Sequence, residues 1–469
     1  MNKILIIYIG FVNERHYDCQ VAFYEALAEY LISLGHDVLL WNCWSYVSLH
    51  NDTLSFSSES VEQSILSQIL HFNPNIILDF NNVLPTSLKE QLNVHHIVFC
   101  ADNAEFICHH SRLLTGDTHY ISCSQSISQQ IQRMFNAEEK HIFIIECATG
   151  IQAQERTQDK NITFLGTNFG ASIYDFSQRV SANYALHRAE PYIEPVIRAI
   201  QDNYYIELDE LYTLLSHTHK QPHREMLAYL LPMLKHALVK EHRIAHLSML
   251  SDIGLHLYGP QASRADWNEL LLYNLELALC YHRKSIYSLK DNEALYNSSI
   301  IGLNISHLQA VGGFSWRVAD IMASNACIMT EREDVFIKLF QDYFTEEQLE
   351  VILYRDKYDM REKAIELLNN KPLRDSIVQQ SHLAIEERYR WHHFTPILEN
   401  AFKKELAIGR GEYGDIYCIQ HPSTMSTPPH LACILLESYE KQKHNDTLTI
   451  HKNTGRLSLP CSCIHYILL

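Results

Sequence analysis

No stretch of the chain reaches the roughly 18 to 20 successive apolar residues that a membrane-crossing helix needs. The opening MNKILIIYIGFV is apolar behind one lysine, but it runs straight into NERHYD with no small-residue cleavage site. The expectation is a soluble protein without a membrane span, whose first residues form a buried strand rather than a signal peptide. Basic blocks are lacking too. Against 55 Asp and Glu stand only 38 Lys and Arg, a formal charge of −17. That balance excludes a reader of nucleic-acid backbones and leaves any anionic ligand dependent on a local pocket. The 12 cysteines form no CxxC framework, and only Cys461 and Cys463 are near neighbours, so free thiols in a reducing cytoplasm are expected. HExxH is also missing. The adjacent pairs His95-His96, His109-His110 and His392-His393 would point to different faces of a strand or helix, so no metal site is expected among the 28 histidines.

What is present suits a globular protein of two or three domains: 469 residues, 46% hydrophobic and 20% charged. Lys3–Phe11 reads as a strand, Tyr17–Leu34 as a helix with Gly35 placed to stop it, and His36–Trp41 as a second strand. Only one glycine stands in the first loop, Gly10–His16, so the opening is no GxGxxG dinucleotide fingerprint. The alternation goes on through a helix at Val61–Leu70, strands at Asn75–Phe80, His96–Cys100, Tyr120–Ser122 and His141–Glu146, and a helix at Ser126–Phe135. Strands alternating with helices predict a parallel, doubly wound sheet over residues 1–150. Asp102 follows the strand ending VFCAD, which places a carboxylate at the ligand edge of that sheet, although a helix or turn cap is the more ordinary role for such a residue.

The polar stretch Ala148–Lys160 marks a boundary, and a strand at Ile162–Leu165 opens a second α/β lobe over residues 160–400. A helical insertion at residues 174–249 interrupts it, and strand and turn resume at His256–Pro260. Helices follow at Asp291–Asn297, Val335–Phe340, Thr345–Glu350, Met360–Leu368 and Leu373–Trp391. Residues 410–469 lose apolar period and gain Gly, Pro, Ser and Thr, the composition of a loosely ordered appendix.

The second lobe is organised around Tyr296–Thr330, which reads as strand (Ile300–Ile305), loop with Gly312-Gly313, helix (Ser315–Ser324) and strand (Ala326–Thr330). Val318, Ile321 and Met322 share one helix face, leaving Arg317 and Asp320 on others near the helix start. Two glycines before a helix let an anion approach exposed backbone N–H groups, and the helix dipole favours negative charge there. Phosphate is the natural guest, and the competing reading is a plain turn beside a surface ion pair.

Taken together, NITFLGT (Asn161–Thr167), HLYG (His256–Gly259), LYNSSIIGLNIS (Leu295–Ser306) and GGFSWRVADIMASNACIMT (Gly312–Thr330) resemble a known family over about Ile162–Phe394. It is the bacterial spore-maturation-protein-like group of glycosyltransferases, within the large group of retaining GT-B enzymes. VFCADNAE and YISCSQSISQQI extend the resemblance more weakly into the first lobe.

The resemblance implies two facing Rossmann-like lobes, the first for an acceptor and the second for a nucleotide sugar, with the insertion and the appendix added. Gly312, Gly313 and Phe314 would offer amides to the donor diphosphate, Asp320 would bind the ribose hydroxyls, and Arg317 would neutralise phosphate or orient Asp320. Asp102 becomes the candidate contact for the acceptor hydroxyl. The nucleotide sugar is a substrate; no cofactor and no metal are implied. The acceptor is a glycan, a lipid-linked molecule or a protein. Gly312 stands where related enzymes carry a glutamate eight positions before the ribose-binding acid, which leaves room for a catalytically silent relative. Where many members have glycine after the helix, this chain has Asn325, a residue able to take the left-handed conformation.

Overall fold

The computed structural model describes residues 1–9, 21–43, 47–50, 53–56, 63–92, 94–104, 107, 113, 118–168, 189–203, 206–218, 223–259, 267–284, 286–306, 313, 315–406, 414–419, 447–452 and 455–460. The first lobe runs β1 (Lys3–Tyr8), α1 (Ala22–Ser33), β2 (Asp37–Asn42), β3 (Val47–His50), β4 (Thr53–Phe56), α2 (Gln63–Phe72), β5 (Ile76–Phe80), α3 (Thr86–Leu92), β6 (His95–Cys100), β7 (His119–Ser122), α4 (Gln125–Phe135) and β8 (Ile142–Ile144). Its sheet is parallel in the order β2-β1-β5-β6-β7-β8, and β3 and β4 form a separate antiparallel pair. β1 is apolar throughout because both its faces are covered. Ile4 and Ile6 join the cluster that holds Leu27 and Leu31 of α1, while Leu5 and Ile7 join Ile65 and Ile69 of α2 and Leu88 of α3. The lobe is doubly wound, as the alternation predicts. Gly35, at φ 87°, turns the chain out of α1 in a conformation that side chains disfavour. The first loop, Gly10–His16, lies outside the described residues.

The second lobe begins with β9 (Lys160–Leu165) and the insertion helices α5 (Glu190–Asp202), α6 (Leu208–Thr218) and α7 (Arg224–Ser248). It continues with β10 (Leu255–Tyr258), α8 (Leu275–Leu279), α9 (Leu289–Asn297), β11 (Ser299–Asn304), α10 (Arg317–Met322), β12 (Cys327–Glu331), α11 (Asp334–Phe340), α12 (Glu346–Ile352), β13 (Leu353–Tyr354), α13 (Lys357–Asn369) and α14 (Lys371–Ala384). These strands form a parallel sheet in the order β10-β9-β11-β12-β13. Two parallel α/β lobes are what the resemblance implies. The insertion has an apolar core of its own, in which Val196 and Ile200 meet Leu211, Leu215, Leu227 and Leu230.

Where the apolar spacing predicts one helix over Leu373–Trp391, α14 gives way to a π-helical turn at Ile385–Tyr389 and a 3-10 turn at Trp391–Phe394. The chain then returns to the first lobe as α15 (Thr395–Phe402), where the carbonyl of Ala401 sits 2.9 Å from His95 Nε2 and 3.1 Å from His119 Nδ1. Part of the appendix is built into the fold. β14 (Ile416–Cys418) adds a parallel edge strand beside β2, and β15 (Thr447–Lys452) pairs with β16 (Gly455–Pro460). The polar boundary is tied down as well. Asn297 accepts from Gln154 N (3.0 Å) and donates to Gln152 O (2.8 Å), while Asn325 Nδ2 donates to Gln154 O at 2.6 Å. Asn325 therefore serves as a linker clamp; its φ is not positive, so the left-handed expectation is replaced by a side-chain role. None of the described helices is long and apolar enough to cross a membrane.

Candidate active site

α10 lies directly on β11 because Gly302 has no side chain: a Cβ there would stand 2.5 Å from Ile321 Cγ2. Val318, Ala319, Ile321 and Met322 are buried, which fixes the helix and points its remaining residues elsewhere. Gly313 is buried ahead of the helix, while Gly312 and Phe314 lie outside the described residues. Arg317 turns toward the end of β11, donating from Nη1 to Asn304 Oδ1 at 2.8 Å, and its guanidinium stands 5.2 Å from the Phe164 ring centroid. Asn304 is itself oriented by donating to Thr330 Oγ1 at 2.9 Å.

Asp320 reaches across the lobe junction. Its Oδ1 accepts from Thr149 Oγ1 at 2.6 Å, and the same hydroxyl accepts from Ile151 N at 3.1 Å. Among the described residues Oδ2 carries no hydrogen bond. Burial pushes the Asp320 pKa up to about 6, against the pull of the Thr149 hydrogen bond and the positive charges of Arg317 and Arg390. Arg390 is held by Glu386, 2.8 Å from its Nε, and donates to the carbonyl of Ile151.

On the facing lobe Asp102 is built the same way. Its Oδ2 accepts from Asn81 Nδ2 at 2.6 Å, and its Oδ1 has no hydrogen-bond partner among the described residues. Asn81 is left-handed at φ 58° and also takes Ala101 N on its Oδ1 at 2.9 Å. Burial raises Asp102 to about 6, with the Asn81 hydrogen bond opposing. Its charge in turn helps to raise the phenol of Tyr24, where burial is the larger cause.

An aromatic contact joins the two halves. Trp316, just before Arg317, stacks on Phe23 of α1 with centroids 3.4 Å apart and planes 9° from parallel. Its centroid is 6.0 Å from that of Phe99 on β6 and 6.3 Å from that of Tyr24. Trp316 thus sets the start of α10, which carries Arg317 and Asp320, against α1 and β6 of the first lobe, and Asp102 follows β6. Sequence reasoning missed Thr149, Asn304, Asn81, Phe164, Trp316 and Arg390, and only the asparagine closing the apolar strand IIGLN hinted at any of them. Of the adjacent histidines, His96 Nε2 lies 2.9 Å from buried Asp79, His393 Nε2 lies 2.8 Å from Glu386 O, and the pair His109-His110 lies outside the described residues. Among the described residues one trio has the make-up of a metal-ligand set, and none of its members belongs to those pairs: His242, His246 and Glu331.

Residues 239–399 match a family model described as glycosyl transferase-like. No curated protein matches the chain. Among solved structures the chain is similar to T4 phage BGT in complex with its UDP-glucose substrate, at 11% identity and TM-score 0.43, covering 87% of this chain and 100% of that one. It is also similar to WaaG, a glycosyltransferase involved in lipopolysaccharide biosynthesis, at 10% identity and TM-score 0.38, covering 85% and 98%. The matched segment, residues 239–399 of 469, lies within the second of the two parallel α/β lobes and takes in Asn304, Arg317, Asp320 and Arg390.

Proposed function

We propose that the protein moves a hexose-type sugar from a nucleotide-sugar donor on the second lobe to a hydroxyl on the first, carried by a glycan, a lipid-linked molecule or a protein in the cytoplasm. The observation that carries this reading is the matched pair of carboxylates at the lobe junction. Each has one oxygen fixed by a neutral donor, Thr149 for Asp320 and Asn81 for Asp102, and one without a hydrogen bond among the described residues. A carboxylate oxygen accepts readily from a diol, so Asp320 suits the ribose hydroxyls. As the sugar leaves, negative charge builds on the nucleoside diphosphate. Amides of Gly312, Gly313 and Phe314, with Arg317, meet that charge, so the step is assigned no metal ion. Asp102 accepts the proton of the attacking hydroxyl. Its pKa of about 6 leaves it ionised at neutral pH yet more basic than an ordinary carboxylate. Attack on the face the diphosphate leaves retains the anomeric configuration and needs no enzymic nucleophile.

Calorimetric titration with a panel of nucleotide sugars identifies the donor. Asp320→Ala is expected to lose donor affinity, whereas Asp102→Asn is expected to keep it and lose transfer; unchanged donor affinity in Asp320→Ala rejects the assignment. A second reading, a donor-binding relative without turnover, is favoured by glycine at position 312. It predicts tight binding with neither hydrolysis nor transfer.

A further inference from the structure

The last helix of the insertion, α7, ends against the carboxyl edge of the second sheet. There Arg243 donates to Thr167 O at 2.7 Å and to Ile305 O at 3.2 Å. The residues on either side of that anchor, His242 and His246, are four apart and share one helix face. They face Glu331, the last residue of β12, with His242 Nε2 3.0 Å from Glu331 Oε1. One ligand atom from each of the three lies within 4.8 Å of the others.

His246 carries the telling detail. Its Nδ1 stands 2.8 Å from the carbonyl of His242, an acceptor, so Nδ1 bears the proton and Nε2 bears the lone pair. That Nε2 is buried without a hydrogen-bond partner among the described residues, in a side chain belonging to a residue only 6% exposed. An imidazole whose one nitrogen is pinned by a carbonyl and whose other offers a buried lone pair is arranged as metal-bound histidines are. Glu331 is oriented likewise, its Oε2 accepting from Ser306 N at 3.3 Å. Lys357 adds an opposing positive charge nearby, which Asp356 beside it offsets.

We propose that His242, His246 and Glu331 bind a divalent transition cation of the zinc class, which fastens the helical insertion to the carboxyl edge of the second sheet. Two imidazoles and one carboxylate suit zinc at bond lengths of about 2.0 to 2.2 Å, which sets tetrahedral ligand atoms roughly 3.4 Å apart. The 3.0 Å contact and the 4.8 Å span bracket that value, so small side-chain rotations complete the site. Water fills the remaining position. Calcium and magnesium, which take oxygen ligands, do not fit the donor set. The site stands independently of the donor reading, because none of its ligands belongs to the donor or acceptor groups.

The test uses the full chain, stripped with a chelator and titrated with zinc sulfate in competition with a chromogenic chelator. One equivalent of zinc is expected to bind and to raise the thermal midpoint, and cobalt is expected to give a visible d–d band. Glu331→Gln and His246→Asn should each weaken zinc binding by about 100-fold or more, with circular dichroism reporting that the fold is kept. X-ray absorption at the zinc edge of the unmutated protein supplies a reading that no variant can confound, and imidazole scattering is expected there. His256→Asn is the control, because His256 and His282 face each other at 2.8 Å outside this trio, and it should bind as the parent does. Failure of the stripped chain to retain zinc overturns the proposal, and so does equal retention by all three variants.

Discussion

Replacing Asp320 by Asn should stabilise the protein and, on the proposed function, weaken donor binding. In the folded chain burial lifts the Asp320 pKa from an ordinary 3.8 to about 6. Between those values the folded state binds more protons than the unfolded state, so this group's contribution to stability falls as pH rises through the window and is flat above it. At about 1.4 kcal/mol per tenfold change in proton affinity, the ionised carboxylate costs about 3 kcal/mol at neutral pH. Asparagine keeps an oxygen to accept from Thr149 and carries no charge to desolvate. Urea unfolding of both proteins at a series of pH values from about 4 to about 7 isolates the effect, since Asp102 and every other titrating group contribute equally to both and cancel. The two curves should meet near pH 4 and separate by about 3 kcal/mol near pH 7, with the variant the more stable. A pH-independent difference, or a variant less stable at neutral pH, refutes the account of a buried, underpaired acid.

Trp316→Ala removes the face-to-face stack on Phe23 and should cost about 3 kcal/mol, the low end for a large aromatic because Trp316 is half-buried; denaturant unfolding measures it. His119, buried with its pKa pulled down to about 4 by burial and by Lys403, binds fewer protons folded than unfolded between about 4 and about 6.5. Its share of stability is therefore lost as pH falls through that range, about 3 kcal/mol in all, and His119→Gln should flatten that slope in acid titrations followed by circular dichroism. Gly302→Ala drives a methyl group into Ile321 and should destabilise by about 1 to 3 kcal/mol. The double variant with Ile321→Val should recover part of that loss, a coupling that separates steric displacement of α10 from a simple change in strand propensity.

The alternation of strands and helices was legible because parallel strands covered on both faces write themselves as apolar runs, as KILIIY and HHIVFC do. The placement of Arg317, Asp320 and Asp102 in the fold was legible for a related reason: position at a strand's carboxyl end or a helix start is a local property. Their partners were not. Thr149 meets Asp320 across 171 residues, and Ala401 meets His119 across 282, contacts that no window of sequence contains. The same limit hid β14, three residues whose pairing exists only because β2 presents an open edge. It also hid the π-helical turn, where the apolar spacing continues unbroken through Tyr389 while the backbone changes, Tyr389 O taking Thr149 N at 3.1 Å. The histidines show a different failure. Adjacent pairs draw the eye, yet the helix places residues four apart on one face, and HRIAH supplies such a pair.

A third aspartate shows what Asp102 and Asp320 would look like if they were merely structural. Asp79 ends in the same region of the first sheet, fully buried, and its two oxygens accept from Val83 N at 2.7 Å, Leu84 N at 3.0 Å and His96 Nε2 at 2.9 Å. It closes the turn after β5, and each oxygen is used. Asp102 and Asp320 instead each have one oxygen without a hydrogen bond among the described residues, at a pKa raised by burial. A fold that can satisfy a buried carboxylate with backbone amides four and five residues away, and leaves two others underpaired, retains a free-energy cost that folding does not require. On the proposed function, ligand hydroxyls completing those two acids would offset that cost, and this is the physical reason for proposing sugar transfer at the junction rather than in either lobe's core.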